Sequence, residues 1–175
     1  MDSFRTATPQ DAATLSLLVN TAYRGESSKQ GWTTEADLLG GQRTDPTKIL
    51  EMIAAPASQI EIAFDSKNPT DILGCVYLNQ DDVKTLYFGM LTVKPELQSQ
   101  GLGKKLLDHL EKIAVSKNCH QIRMTVISVR SELIAFYKRR GYQATGKTEP
   151  FPTEDPRFGV PKIAHLEFLE FTKKI

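Results

Sequence analysis

The chemistry this chain can do is concentrated first in Val93-Lys94-Pro95-Glu96-Leu97-Gln98-Ser99-Gln100-Gly101-Leu102-Gly103-Lys104. An apolar run leaves through Pro95 into a polar loop with two glycines, and a helix-period pattern follows to about Lys117. A strand feeding a glycine loop that opens a helix aims backbone N–H groups at an anion, most often a phosphate. Two common phosphate loops are excluded by residue type. A G-x-x-x-x-G-K-[ST] loop aligned on Gly103-Lys104 puts its first glycine on Gln98 and its hydroxyl residue on Lys105. A G-x-G-x-x-G fingerprint starting at Gly101 meets Leu106 in place of its third glycine. The two cysteines, Cys75 and Cys119, form no C-x-x-C and sit near no histidine cluster. Packing is the role expected of them, and no metal site is expected.

The elements that must position this loop follow from periodicity. Phe4–Ala7 reads as a strand. Thr8-Pro9-Gln10-Asp11 then reads as a helix start with a capping box, and Ala12, Leu15, Leu18, Val19 and Ala22 make one apolar face. Thr34 and Asp37 suggest a short helix stopped by Gly40-Gly41, and Asp45-Pro46 starts another through Ile53. Strands are expected at 59–64, 72–79 and 85–93, the first two separated by the turn-rich run 65–71. A helix with Leu102, Leu106, Leu107, Leu110, Ile113 and Ala114 on one face leads to a strand at 121–126, so 85–126 is a βαβ unit with a parallel strand pair. Ser131 starts a short helix that Gly141 stops, a strand begins at Tyr142, and Ile163–Phe171 alternates as a last strand. Between them, Glu149–Pro161 is a loop with four prolines.

Bulk properties narrow the partners. With 175 residues the chain suits one domain spanning 1–175. A formal charge of +1 speaks against a nucleic-acid binder held by a basic field. No apolar run nears the ~20 residues of a membrane span, and the first residues lack a signal-peptide core. A cytoplasmic protein without membrane or nucleic-acid partners is expected.

Gln98-x-x-Gly101-x-Gly103, preceded by Val93-x-Pro95-Glu96, resembles the [QR]-x-x-G-x-[GA] motif of the GCN5-related N-acetyltransferases (GNAT). Phe136-Tyr137-Lys138-Arg139-Arg140-Gly141-Tyr142 resembles that family's F/L-Y-x-x-x-G-F/Y signature, on a helix after the next strand. The order of elements is similar from Phe4 to Phe171. The resemblance implies an α/β (α+β) GNAT fold: a central mixed, twisted sheet of about seven strands flanked by helices, with a βαβ core that binds acetyl-CoA. It implies an acyltransferase moving an acetyl group from acetyl-CoA directly to an amine of a small molecule, an amino-acid-like metabolite or a peptide, as a monomer or homodimer.

The same resemblance distributes the residues. Leu91, Thr92, Val93, Gln98, Ser99, Gln100, Gly101, Leu102, Gly103, Lys104, Arg130, Phe136 and Tyr137 are expected at the cofactor, with the pyrophosphate over the amides near Gln100–Lys104. The Leu91 N–H is expected to polarise the acetyl carbonyl, and Tyr137 to protonate the leaving sulfur. Where the family often has asparagine, seven residues before the tyrosine, this chain has Arg130, which leaves a CoA phosphate and an anionic acceptor open as its partner. Tyr23, Arg24, Trp32, Glu35 and Phe158 are expected at the acceptor. Glu35 and Asp155 are taken as catalytic carboxylates, with Glu26, Glu154 and His165 as further bases, and Arg157 adds charge to the late loop. Two other functions fit the same residues: a silent acyl-CoA-binding module, and an interaction domain that binds no CoA.

Overall fold

The computed structural model describes residues 2–175, apart from the side chains of Asp2, Asp81 and Arg157. Thr8 and Asp11 form the expected capping box. Asp11 also takes a two-pronged pair from Arg5, at 2.8 Å on each oxygen. This fixes the exit of the first strand, β1 (Asp2–Thr6), to the start of α1 (Ala12–Tyr23). The apolar stripe of α1 is buried as its spacing requires, and a four-residue α2 (Gly25–Ser28) follows.

Seven strands form one sheet in the order β1-β3-β4-β5-β6-β9-β7. They are β3 (Ser58–Asp65), β4 (Asn68–Asp82), β5 (Thr85–Val93), β6 (Gln121–Ile127), β7 (Gln143–Pro150) and β9 (Glu167–Lys174), besides β1. Only β5 and β6 run parallel, joined through α4 (Leu102–Ser116) as the βαβ pattern predicts. The expected mixed seven-stranded sheet is therefore present. Helices cover both faces. On one face α1 and α3 (Pro46–Ala54) pack on Ile60, Ile62, Ile72 and Cys75. On the other, α4 and α5 (Ser131–Lys138) pack on Val76, Leu78, Phe88 and Met124. Gly141, at φ +88°, ends α5 with Tyr142 N–H bonded back to the Tyr137 carbonyl at 3.2 Å, a Schellman closure.

Four local expectations fail. The turn-rich run 65–71 condenses to a tight turn at Ser66-Lys67, and β4 resumes at Asn68. Pro69 is tolerated there because pairing with β5 begins only at Gly74. No helix forms at 34–40. Thr34 Oγ1 accepts the Ala36 N–H, and the chain turns into β2 (Leu39–Gly40), which pairs with β8 (Val160–Pro161) in a second, two-stranded sheet. The proline-rich stretch is accordingly less irregular than expected, with β7 reaching Pro150 and a 3-10 turn at Pro156–Phe158. The last strand starts at Glu167 rather than Ile163, after His165 in a left-handed conformation at φ +58°.

Two departures from a regular sheet shape the site. The parallel pair β5/β6 is bonded only from Thr85↔Gln121 to Tyr87↔Arg123, after which the strands diverge. In the same stretch β5 bulges: Cys75 faces Thr92 and Tyr77 faces Gly89, so Val76 alone opposes two residues, and Met90 takes φ +51°. Among the described residues no helix is long and apolar enough to cross a membrane.

The Arg5–Asp11 pair predicts an acid dependence. Hydrogen bonds from Arg5 hold the Asp11 carboxyl at about 2 against an ordinary value of 3.8. A depressed carboxyl adds stability above the ordinary value and loses it as pH falls through the folded one. Asp11→Asn should lower stability by about 1 kcal/mol at neutral pH, read as a lower urea midpoint at constant slope. The gap should close towards pH 2; a gap as large there as at pH 7 contradicts the assignment.

Candidate active site

Where β5 and β6 part, two cavities open and meet. The first, of about 360 Å³, runs along the glycine loop and α5. The second, of about 380 Å³, lies between the end of α1, the β2/β8 sheet and β7. Both are lined by Tyr23, Leu91, Arg130, Leu133 and Tyr137, so these five residues form the junction.

The first cavity is built from the loop outward. Gly101 caps α4 at φ +89°, a conformation that a side chain would strain. The first N–H groups of a helix have no acceptor within it, and here they open beside Ser99, Gly101, Gly103 and Lys104 in the wall. Across the cleft stand Arg139 and Arg140. The Arg140 guanidinium lies 3.6 Å above the Phe136 ring, and its Nε is buried without a partner. Burial, then the neighbouring Arg139 charge, lowers the Arg140 pKa. One end of this cleft thus collects N–H donors and three cationic side chains, whereas Leu91, Val93, Leu133 and Phe136 make the rest apolar. A ligand with a polyanionic head and a slender, less polar arm fits that gradient, and CoA has that form.

Gln98 does more than line the cleft. Its Oε1 accepts the Thr33 N–H at 3.1 Å, and its Nε2 donates to the Val93 carbonyl at 3.3 Å. Thr33 Oγ1 in turn donates to Glu132 at 2.8 Å and accepts from Arg130 at 2.6 Å. The segment from Gly31 to Glu35 is thereby strapped across the cleft. A Cβ at Gly31 would fall 2.6 Å from Gln98 Oε1 and push the Gln98 amide off this position.

At the junction, Tyr23 donates its hydroxyl to the Leu91 carbonyl at 2.9 Å, which locks α1 to the bulged strand. Burial, then the Glu35 charge, pushes the Tyr23 hydroxyl up to about 12. Tyr137 is held among Phe88, Phe136 and Tyr142 and is 5% exposed. Its hydroxyl has no hydrogen-bond partner among the described residues, and Tyr137 lines both cavities. Burial is the main cause that raises its pKa well above the ordinary value for tyrosine.

Behind the junction lies a buried ion triad. Glu35, 5% exposed, gives one oxygen to Arg130 at 3.0 Å and the other to Arg24 at 3.2 Å. Arg24 also donates to the Gly40, Gln42 and Phe158 carbonyls, which ties the end of α1 to β2 and to the turn before β8. Gly159, at φ +104°, leaves room for that guanidinium.

Most expected positions gather here, with corrections. Leu91, Thr92, Val93, Gln98, Ser99, Gly101, Gly103, Lys104, Arg130, Phe136 and Tyr137 line the first cavity. Gln100 and Leu102 do not: the Gln100 amide bonds the Glu96 carbonyl, and Leu102 points into the core. Tyr23, Arg24, Glu35 and Phe158 line the second cavity. Trp32, expected at the acceptor, lies instead in the first cleft beside Phe136. Asp155, expected as a catalytic carboxylate, lines neither cavity and starts the 3-10 turn, and the Arg157 side chain lies outside the described residues. Glu35, the other expected carboxylate, has both oxygens committed to arginines. Arg43, Glu149, Leu133 and Arg139 went unassigned from sequence. Arg139 lies inside the tyrosine signature and Glu149 inside the late loop, whereas nothing local marks Arg43.

A sequence model of the acetyltransferase (GNAT) family matches residues 32–142, which is more than half of the chain. The chain belongs to the GNAT acetyltransferase family. The thialysine N-ε-acetyltransferase of Bos taurus is 30% identical over 66 residues, 38% of this chain and 39% of that protein. The mouse thialysine N-ε-acetyltransferase is 27% identical over the same shares. The chain thus aligns with about two-fifths of the length of the curated relatives it matches. Solved GNAT folds cover nearly all of it. An N-acetyltransferase from Staphylococcus aureus Mu50 has TM-score 0.69 at 14% identity, covering 99% of this chain and 98% of that one. A GNAT family acetyltransferase from Elizabethkingia anophelis with acetyl-CoA bound has TM-score 0.62 at 17% identity and the same coverage.

The triad predicts a stability cost for Glu35. Removing one partner of a buried ion pair leaves uncompensated charge, typically costing about 3–5 kcal/mol. Glu35→Gln should therefore lower unfolding free energy by about 3 kcal/mol in denaturant titration. A variant as stable as the parent protein overturns the structural role of this carboxylate.

Proposed function

We propose that this protein is an acetyl-CoA-dependent N-acetyltransferase acting on the amine of a small molecule. The observation that carries the reading is the junction: an unpartnered, protonated phenol stands where a cleft suited to CoA meets a separate cavity large enough for an acceptor. The relatives named for N-acetyl transfer and the acetyl-CoA bound in the Elizabethkingia protein support it.

Acetyl-CoA supplies the activated acetyl group as a thioester. The glycine-loop amides, Lys104, Arg139 and Arg140 hold its anionic end. The splayed edge of β5 and the apolar wall guide its arm to Tyr137. The Leu91 N–H, at the bulge, is the backbone donor that would stabilise charge developing on the acetyl oxygen. The amine nitrogen forms a C–N bond as the C–S bond breaks, and Tyr137 gives its proton to the departing sulfur. The amine proton passes to Glu149. Among the described residues it is the carboxylate that lines the acceptor cavity besides Glu35, whose charge is already shared between two arginines.

The test follows CoA thiol release with acetyl-CoA and an amine panel. Tyr137→Phe should lower kcat by about 10²-fold, with thermal stabilisation by CoA retained. An unchanged kcat removes the proton-donor role, and no thiol release with any amine removes the enzymatic reading.

A further inference from the structure

The second cavity holds an arginine that no ion pair neutralises. Glu35 is shared by Arg24 and Arg130, and Arg130 also faces Glu132 at 3.6 Å, so these two arginines have carboxylates to meet. Arg43 does not. It lines the same cavity with its guanidinium 5.7 Å from the Tyr23 ring centroid, and it pairs with no carboxylate among the described residues. Arg130 lies 5.9 Å from the same ring, and its Nε is buried without a hydrogen-bond partner. Against these stands Glu149, on an exposed position of β7.

The loop that bears Arg43 is rigid. Asn20 Oδ1 accepts the N–H groups of Arg43 and Thr44 at 2.7 and 3.1 Å, and Asn20 Nδ2 donates to the Thr44 carbonyl at 2.9 Å. Asp45 then caps α3 through the Lys48 N–H. The backbone of a cavity-lining arginine is thus pinned on both sides, while its own charge is left for something that is not protein. Guanidinium matches a carboxylate through two parallel N–H donors.

We propose that the acceptor is an amine that also carries a carboxylate, an amino acid or a compound of that class, and that Arg43 selects it by pairing with that carboxylate. This rests on the acetyl-transfer reading above and names the substrate class for it. With the carboxylate on Arg43, the amine is free to reach the Tyr137 junction through the same cavity. Polyamines are disfavoured, because a second cation in place of the carboxylate would face Arg43.

The test compares L-amino acids with their carboxamides and with spermidine, by thiol release and by thermal shift. The parent protein should prefer carboxylates over the matching carboxamides by at least about tenfold in kcat/KM, the size of one charge-assisted hydrogen-bonded pair. Arg43→Gln should erase most of that ratio, mainly through KM, and Arg43→Lys should restore part of it. Equal rates on carboxylates and carboxamides, or a ratio unchanged in Arg43→Gln, overturn the proposal, as does spermidine turning over as well as any amino acid. The binding arm separates the two readings. In the presence of CoA, N-acetyl amino acids should stabilise the parent protein more than their carboxamides, and Arg43→Gln should lose the difference. If no amine releases thiol but this difference holds, acetyl transfer falls and the carboxylate site stands. If no such difference exists, the carboxylate site falls.

Discussion

Glu35, buried between Arg24 and Arg130, is the constraint on which the site depends. Three charges taken out of water are costly unless every one is met, and such a cluster seldom stabilises a fold more than apolar packing would. What it gives is a defined arrangement. Arg24 reaches from the end of α1 to β2 and to the carbonyl next to β8, and Arg130 reaches from the start of α5 to the strap at Thr33. Glu35 joins the two. The chain around residues 24, 33–40, 130 and 158 is therefore fixed around one carboxylate, and each of these segments contributes to the cavity walls.

That arrangement needs an opening in the sheet. A parallel pair bonded along its whole length would leave no cleft between β5 and β6. Here bonding stops after three residue pairs, and the bulge at Met90 twists β5 away while Thr92 Oγ1 bonds the Met90 carbonyl at 2.9 Å. Tyr23 then takes the Leu91 carbonyl that the strand would otherwise have offered to a neighbour. The β5 residues beyond the splay, Leu91 to Val93, line the first cavity.

The division between what was legible in the sequence and what was not follows the range of the interactions. The glycine loop, the apolar stripes of α1 and α4, the Gly141 stop and the βαβ crossover are local patterns, and they stand as read. The short helix expected at Thr34–Gly40 does not form, because its weak capping signal competes with Glu35 being drawn inward by arginines 11 residues before it and 95 residues after it. Gln98 was legible as a loop residue but not as the clasp on Thr33. The family resemblance places Trp32 and Asp155 in acceptor-side loops, and a place in a loop does not say which way a side chain faces. Arg43 had no local signal. Its role depends on a cavity assembled from α1, β5, β6 and the late hairpin.

The electrostatics of the junction are consistent with one another. Dry surroundings raise the Tyr137 hydroxyl, which by itself would make it a reluctant proton donor. Burial acts on a thiol in the same direction: on the other face of the sheet it pushes Cys75 up to about 12. A sulfur leaving beside Tyr137 would likewise be more basic than in water, so donor and acceptor rise together and the transfer stays nearly balanced.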